Sequence, residues 1–98
     1  MNKSCALALA LFSVPASAAQ DYPFVGKWDC EVSTFTFTST SYDNGSEKLR
    51  IKKVRKVGGN YELSFAGNYK ISVGRITAKT MSWLSGETGD AFSCKRLR

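Results

Sequence analysis

The chain has 98 residues, 14 Lys plus Arg against 8 Asp plus Glu, a formal charge of +6, 12% aromatic residues and no histidine. The missing imidazole excludes histidine-based proton transfer and histidine metal ligation, and the length allows a single small domain. The positive excess favours anionic partners and carries no information about fold.

The opening "MNKSCALALALFSVPASAA" has a charged start at Lys3, an apolar run from Ala6 to Val14 and small residues after Pro15. This is the three-part pattern of a secretory signal peptide over 1–19, and the apolar run is too short to span a bilayer. No later apolar stretch is long enough for a transmembrane helix. The Ala-rich leader points to a bacterial periplasm or exterior, with 20–98 as one domain. A domain of about 79 residues buries a modest core and often needs a covalent staple. Cys5 leaves with the leader, so Cys30 and Cys94 remain. An even cysteine count in an oxidising compartment predicts a disulfide. Two buried free thiols are the alternative, and a two-cysteine metal site lacks histidine partners.

Everything after the leader reads as short strands. "VGKWDCEV" alternates, placing Trp28, Cys30 and Val32 on one face and Lys27, Asp29 and Glu31 on the other. "STFTFTSTSY" puts Phe35 and Phe37 on one face between threonines, a composition suited to a pleated surface. Asn44-Gly45 in "SYDNGS" signals a hairpin. "EKLRIKKVRKV" returns with Leu49 and Ile51 inward, and its alternation slips at Lys52-Lys53, which suggests a bulge. "GNYELSF" and "GNYKISV" repeat one pattern eight residues apart and read as adjacent antiparallel strands of a meander, since so short a unit cannot fold alone. "GRITAKTMSW" adds a strand of ambiguous facing, "LSGETGD" a loop and "AFSCKRLR" the last strand.

The first strand needs a partner, and the last supplies one. With Cys30 opposite Cys94 in an antiparallel pair, Val32 faces Phe92 and Trp28 faces Arg96, within reach of a disulfide and of a guanidinium on an indole. Such pairing closes an all-β, antiparallel, up-and-down barrel. The count is six strands if 25–39 is one bent strand, seven if it is two, and eight with a break at Lys52-Lys53. An odd meander would put its first and last strands parallel. Gly26-x-Trp28 with a late arginine over the tryptophan resembles the lipocalin-type (calycin) barrels, which include lipocalins, avidin-like proteins and small bacterial periplasmic metalloprotease inhibitors. The resemblance implies that Gly26, Trp28 and Arg96 seal one end of the barrel.

Catalytic residues are sparse, because the cysteines are tied together and the carboxylates form no local pair; the chain reads as a non-enzyme without cofactor or metal. "DNGSE" lacks the spaced ligands of a calcium loop and reads as a hairpin turn. Lys48, Arg50 and Lys52 point outward, with Lys53, Arg55 and Lys56 clustered beyond the bulge. They form either a solvated strand surface or a docking stripe for an anionic envelope component. Nucleic acid is disfavoured by the compartment. Trp83-Leu84, entering a Gly-rich loop, either anchors a protein partner or plugs a barrel end. The expectation is an exported binding protein, an inhibitor of a hydrolase acting through loops 40–47 and 84–90. The alternatives are a carrier of a small apolar ligand and an envelope-associated module using 48–56. An inhibitor requires exposed Trp83-Leu84 and a filled interior, whereas a carrier requires a cavity reached from one mouth.

Overall fold

A computed structural model describes residues 22–97; the leader expected over 1–19 lies outside the described residues. Nine strands follow: β1 (Gly26–Asp29), β2 (Thr34–Phe37), β3 (Ser41–Asp43), β4 (Lys48–Arg50), β5 (Lys53–Val57), β6 (Asn60–Ser64), β7 (Lys70–Gly74), β8 (Thr80–Ser85) and β9 (Ala91–Arg96). They form one antiparallel, curled sheet in the order β4-β3-β2-β1-β9-β8-β7-β6-β5. No helix among the described residues is long and apolar enough to cross a membrane.

Nine strands exceed the expected six to eight: the division between β1 and β2 and the break at Lys52-Lys53 lie within that range, and a local turn at 38–41 adds the ninth strand, β3. Glu31 adopts a left-handed φ of 70°, and the Val32 and Cys30 N–H groups donate to Cys30 O and Ser33 O. The chain therefore reverses between β1 and β2. At 38–41 the Thr38 hydroxyl accepts from the N–H groups of Thr40 and Ser41, while the Thr38 N–H donates to Ser41 O. This side-chain turn divides "STFTFTSTSY", so that Phe37 pairs with Tyr42 across a hairpin instead of continuing one strand.

First and last strands are antiparallel despite the odd count. β4 and β5 end the strand order, run in the same direction and are separated only by Ile51 and Lys52. The Ile51 N–H donates to Thr40 O at 2.9 Å, beyond the start of β3, and the Lys52 N–H donates to Ser64 O at 2.8 Å in β6. The slip expected at Lys52-Lys53 is thus where one stretch of chain passes from one end of the curled sheet to the other. The register of the seam is as expected: Trp28 pairs with Arg96 and Asp29 with Lys95, and a disulfide joins Cys30 to Cys94 with their Cα atoms 4.0 Å apart. Val32 departs from it. The turn at Glu31 carries it off the inner face, and it is 63% exposed.

Alternation decides the core. Leu63 and Ile71 face each other between β6 and β7, as do Tyr61 and Val73, which makes the repeated "GNY" segments neighbouring antiparallel strands. Trp28, Phe35, Phe37, Tyr42, Ile51, Leu63, Phe65, Ile71, Val73, Met81, Trp83 and Cys94 form one buried cluster with Phe24. Rings meet across the interior: Phe35 lies 5.3 Å from Trp83 and Tyr42 lies 5.6 Å from Phe65, centroid to centroid. The interior is filled by side chains, as a narrow barrel requires.

"GRITAKTMSW" contributes a strand only from Thr80. Thr77 repeats the side-chain turn of Thr38, its hydroxyl accepting from the Lys79 and Thr80 N–H groups. Met81 and Trp83 then point inward and Leu84 outward.

Candidate functional site

The strand directions place residues 22–26, the turns at 38–41, 57–60 and 74–80 and the C-terminal end of β9 at one end of the sheet. The connections at 30–33, 44–47, 65–69 and 86–90 lie at the other. The two ends differ in chemistry.

The first end is sealed. The Arg96 guanidinium lies 4.1 Å from the centre of the Trp28 ring. Its Nε donates to Ala78 O at 2.9 Å, Nη1 to Val25 O at 3.0 Å and Nη2 to Pro23 O at 2.9 Å. The planar fork of arginine can serve three carbonyls and an aromatic face together, which lysine cannot. The Trp28 indole N–H donates to Phe24 O at 2.9 Å, so the polar atoms of both side chains have partners. Gly26 completes the arrangement: its φ is +139°, and a Cβ there would stand 2.7 Å from Arg96 Nη1. Glycine is required by conformation and by space alike. Phe24, fully buried, packs edge-on to Phe37 and Tyr61 and fills the floor.

The second end is open. Phe35, Tyr42, Trp83 and Phe92 wall a depression of about 380 Å³, rimmed by Ser33, Asn44, Ser46 and Tyr69. Trp83 and Phe92 stack at 5.3 Å with 22° between their planes, and Tyr42 stands at 90° to Phe35. No charged side chain lines this space. Asn44 and Tyr69 are shared with a wider groove of about 650 Å³ that runs between β4 and the 65–69 connection, past Leu49 and Phe65 and the charged Glu47, Arg50, Lys52 and Glu87.

Two polar groups on the wall are unusual. Trp83 Nε1 is buried and has no hydrogen-bond partner among the described residues. Its N–H lies close enough to the Tyr42 oxygen to favour the phenolate slightly, without the geometry of a hydrogen bond. Tyr42 is 1% exposed. Burial foremost, then the neighbouring Tyr69, pushes its hydroxyl well above the ordinary tyrosine range. It therefore stays a neutral donor at physiological pH. Burial also raises Tyr69, with Glu87 as the next cause.

Several expected site residues are placed differently. Trp83 is 6% exposed and stacked in the core, so it plugs the interior and cannot serve as a surface anchor; Leu84 alone, 43% exposed, faces outward. Alternation on β8 forces the two apart. The segment 40–47 is not one loop, because Ser41–Asp43 is β3 and only 44–47 connects strands. Likewise Leu84 and Ser85 belong to β8, leaving 86–90 as loop. Those two loops do border the same open end. Asn44-Gly45 is indeed a turn, and the Asn44 Oδ1 and Asp43 Oδ1 atoms accept backbone N–H groups within it.

The six cations split. Lys48, Arg50, Lys52, Lys53, Arg55 and Lys56 are all exposed as expected, but not on one face. Lys56 pairs with Tyr61 and rests 5.8 Å over its ring, on the face opposite Arg55, because alternation within β5 turns successive residues apart. The structure adds a cation that the sequence reading missed. Lys53 pairs with Ser64 and Ser64 with Lys70, setting two lysines in one row across three strands. Arg55 beside them makes an ion pair with Glu62 at 3.4 Å. No group of three acidic, histidine or cysteine side chains among the described residues could hold a metal ion.

Sequence reasoning missed Tyr42 and Tyr69 as members of the open end. No local signal in the sequence says that their hydroxyls border a shared space. Comparison with protein-family models, with curated proteins and with solved structures returns no match for this chain.

Proposed function

We propose that the protein is an exported binding protein that holds a small apolar molecule at the open end of its curled sheet. One observation carries the reading: one end is sealed with every polar atom of its tryptophan and arginine satisfied, while the other presents an uncharged, aromatic-walled depression of about 380 Å³. A concavity whose aromatic wall carries a polar rim of convergent hydroxyl and amide groups is one form of small-molecule site. The leader-like opening and the Cys30–Cys94 bond support an oxidising, extracytoplasmic location. The seal of Gly26, Trp28 and Arg96 supports the likeness to lipocalin-type barrels. The ligand would be shallowly held, since the interior beneath is filled. A hydrolase inhibitor would have to bind through the rims at 44–47 and 86–90, without the Trp83 anchor.

The test is titration of the oxidised protein with the neutral dye N-phenyl-1-naphthylamine. Saturable, one-to-one fluorescence enhancement is expected, abolished by Ser46→Trp at the rim and indifferent to Lys53→Glu. Absence of saturation, or binding unaffected by the rim variant, would remove the reading.

A second reading rests on the outer row Lys53, Ser64 and Lys70: association with an anionic surface of the envelope. It requires binding to phosphatidylglycerol vesicles that weakens steeply with salt and is lost in Lys53→Glu/Lys70→Glu. Binding that persists in that variant would exclude it.

A further inference from the structure

A buried indole N–H without a partner is costly, because it has given up water and received nothing in return. Here the donor of Trp83, unpartnered among the described residues, lies beside the hydroxyl of Tyr42. Both side chains wall the same depression. The sealed end shows that this is no general looseness of the fold, since the other tryptophan, Trp28, donates to Phe24 O at 2.9 Å. An arrangement in which Trp83 N–H donates to the Tyr42 oxygen, and the Tyr42 O–H donates outward, satisfies both groups once an acceptor occupies the depression.

We propose that the Tyr42 hydroxyl, backed by the Trp83 indole N–H, donates to a hydrogen-bond acceptor of the bound molecule, so that the open end selects neutral aromatic compounds bearing a carbonyl or ether oxygen. This rests on the ligand-binding reading above and names its substrate class. An aromatic body is favoured by the aromatic side chains of the wall, Phe35, Tyr42, Trp83 and Phe92. Neutrality follows from the absence of any charged side chain in the lining, because an ion placed there would lose its hydration without a counter-charge. Preference for an acceptor follows from the donors Tyr42 and Trp83 on the inner wall; of the rim groups, Ser33 and Asn44 already serve backbone turns, and the Tyr69 hydroxyl adds a donor at the edge.

The experiment compares naphthalene with 2-acetylnaphthalene on the full mature protein, reading affinities and the two tryptophan indole N–H resonances by NMR. The ketone is expected to bind about tenfold more tightly, which corresponds to about 1.4 kcal/mol. It should shift the Trp83 indole resonance more than naphthalene does, and leave that of Trp28 in place. Tyr42→Phe removes one oxygen and should bring the two probes level. Equal affinity of the wild type for both probes, or a ketone preference that survives in Tyr42→Phe, overturns the inference and leaves the binding reading standing. If neither probe binds, the binding reading falls and this inference falls with it. Should Tyr42→Phe fail to fold, the Trp83 resonance of the wild type decides: a shift no larger with the ketone than with naphthalene overturns the proposal.

Discussion

The two ends of the sheet hold one tryptophan each, in opposite circumstances. Trp28 is capped by a guanidinium, its N–H is bonded to Phe24 O, and the arginine above it closes three backbone carbonyls. Trp83 is almost as well buried, yet its N–H has no partner among the described residues and the space beside it opens to solvent. Both indoles contribute apolar burial to the same core. Only the first has its polar atom satisfied among the described residues, and the difference separates a part built for stability from a part left incomplete. A fold can carry one unsatisfied end because the rest of the structure supplies the deficit.

That contrast predicts that changes along the seam and at the sealed end alter stability and spare ligand binding, with the reverse at the open end. The largest effect belongs to the seam. The Cys30–Cys94 bond spans 64 residues, and opening it with reductant should cost about 4 kcal/mol by the loop-entropy model, read as a lower midpoint in urea. Arg96→Ala comes next, at about 2–4 kcal/mol, because three carbonyls and one ring face lose a charged partner together. Arg96→Lys should recover only part of it. A loss under about 0.5 kcal/mol in urea unfolding, the scale of an ordinary surface substitution, would break the distinction between the ends. Gly26→Ala should cost about 1–3 kcal/mol, from its positive φ and from pressing on Arg96; its probe affinity should match the wild type.

Alkaline titration sharpens the comparison from the other side. Tyr42 has a raised pKa in the folded chain, chiefly through burial. Above the unfolded value of 10.0 the unfolded chain sheds that proton and the folded chain keeps it. The stability this group contributes is therefore complete below pH 10 and is lost progressively as pH rises toward the folded value. Unfolding followed by tyrosinate absorbance should show a steeper alkaline loss for the wild type than for Tyr42→Phe. Equal slopes would place the hydroxyl in water. The smallest effect is Tyr42→Phe at neutral pH, within about 0.5 kcal/mol of the wild type, since the Trp83 N–H beside the hydroxyl it removes lacks the geometry of a hydrogen bond. A large loss there would mean that Tyr42 is already satisfied and would close the gap between the ends.

Much of the seam was legible in the sequence. Alternation in "VGKWDCEV" and "AFSCKR" put Trp28 and Cys30 on one face and Cys94 and Arg96 on another, and the single register that joined the cysteines also brought arginine to tryptophan. The meander of "GNYELSF" and "GNYKISV" was equally readable, because adjacent strands of matched pattern pair by default. The turns were harder. Glu31 and the Thr38 side-chain turn break runs whose composition is entirely strand-like, and a hydroxyl choosing a backbone N–H over solvent leaves no periodic trace. Trp83 was readable as either plug or anchor, since both place a large apolar residue before a loop.

The amino-acid sequence by itself therefore determined the class of fold, the disulfide and the partner of Trp28, all of which follow from period-two patterning and from pairing rules acting between neighbours in a sheet. The tertiary structure alone decided which tryptophan is satisfied, where Lys70 joins the basic row and how Tyr42, Tyr69, Trp83 and Phe92 come to surround one opening. Trp83 and Phe92 are direct partners on neighbouring strands, but Tyr42 on β3 and Tyr69 ahead of β7 lie far from them in the chain, and only the curl of the sheet brings those side chains to the same opening. Strand patterning specifies which face a side chain takes; which other side chains it meets across the interior is set by twist and closure, and on that meeting the proposed function depends.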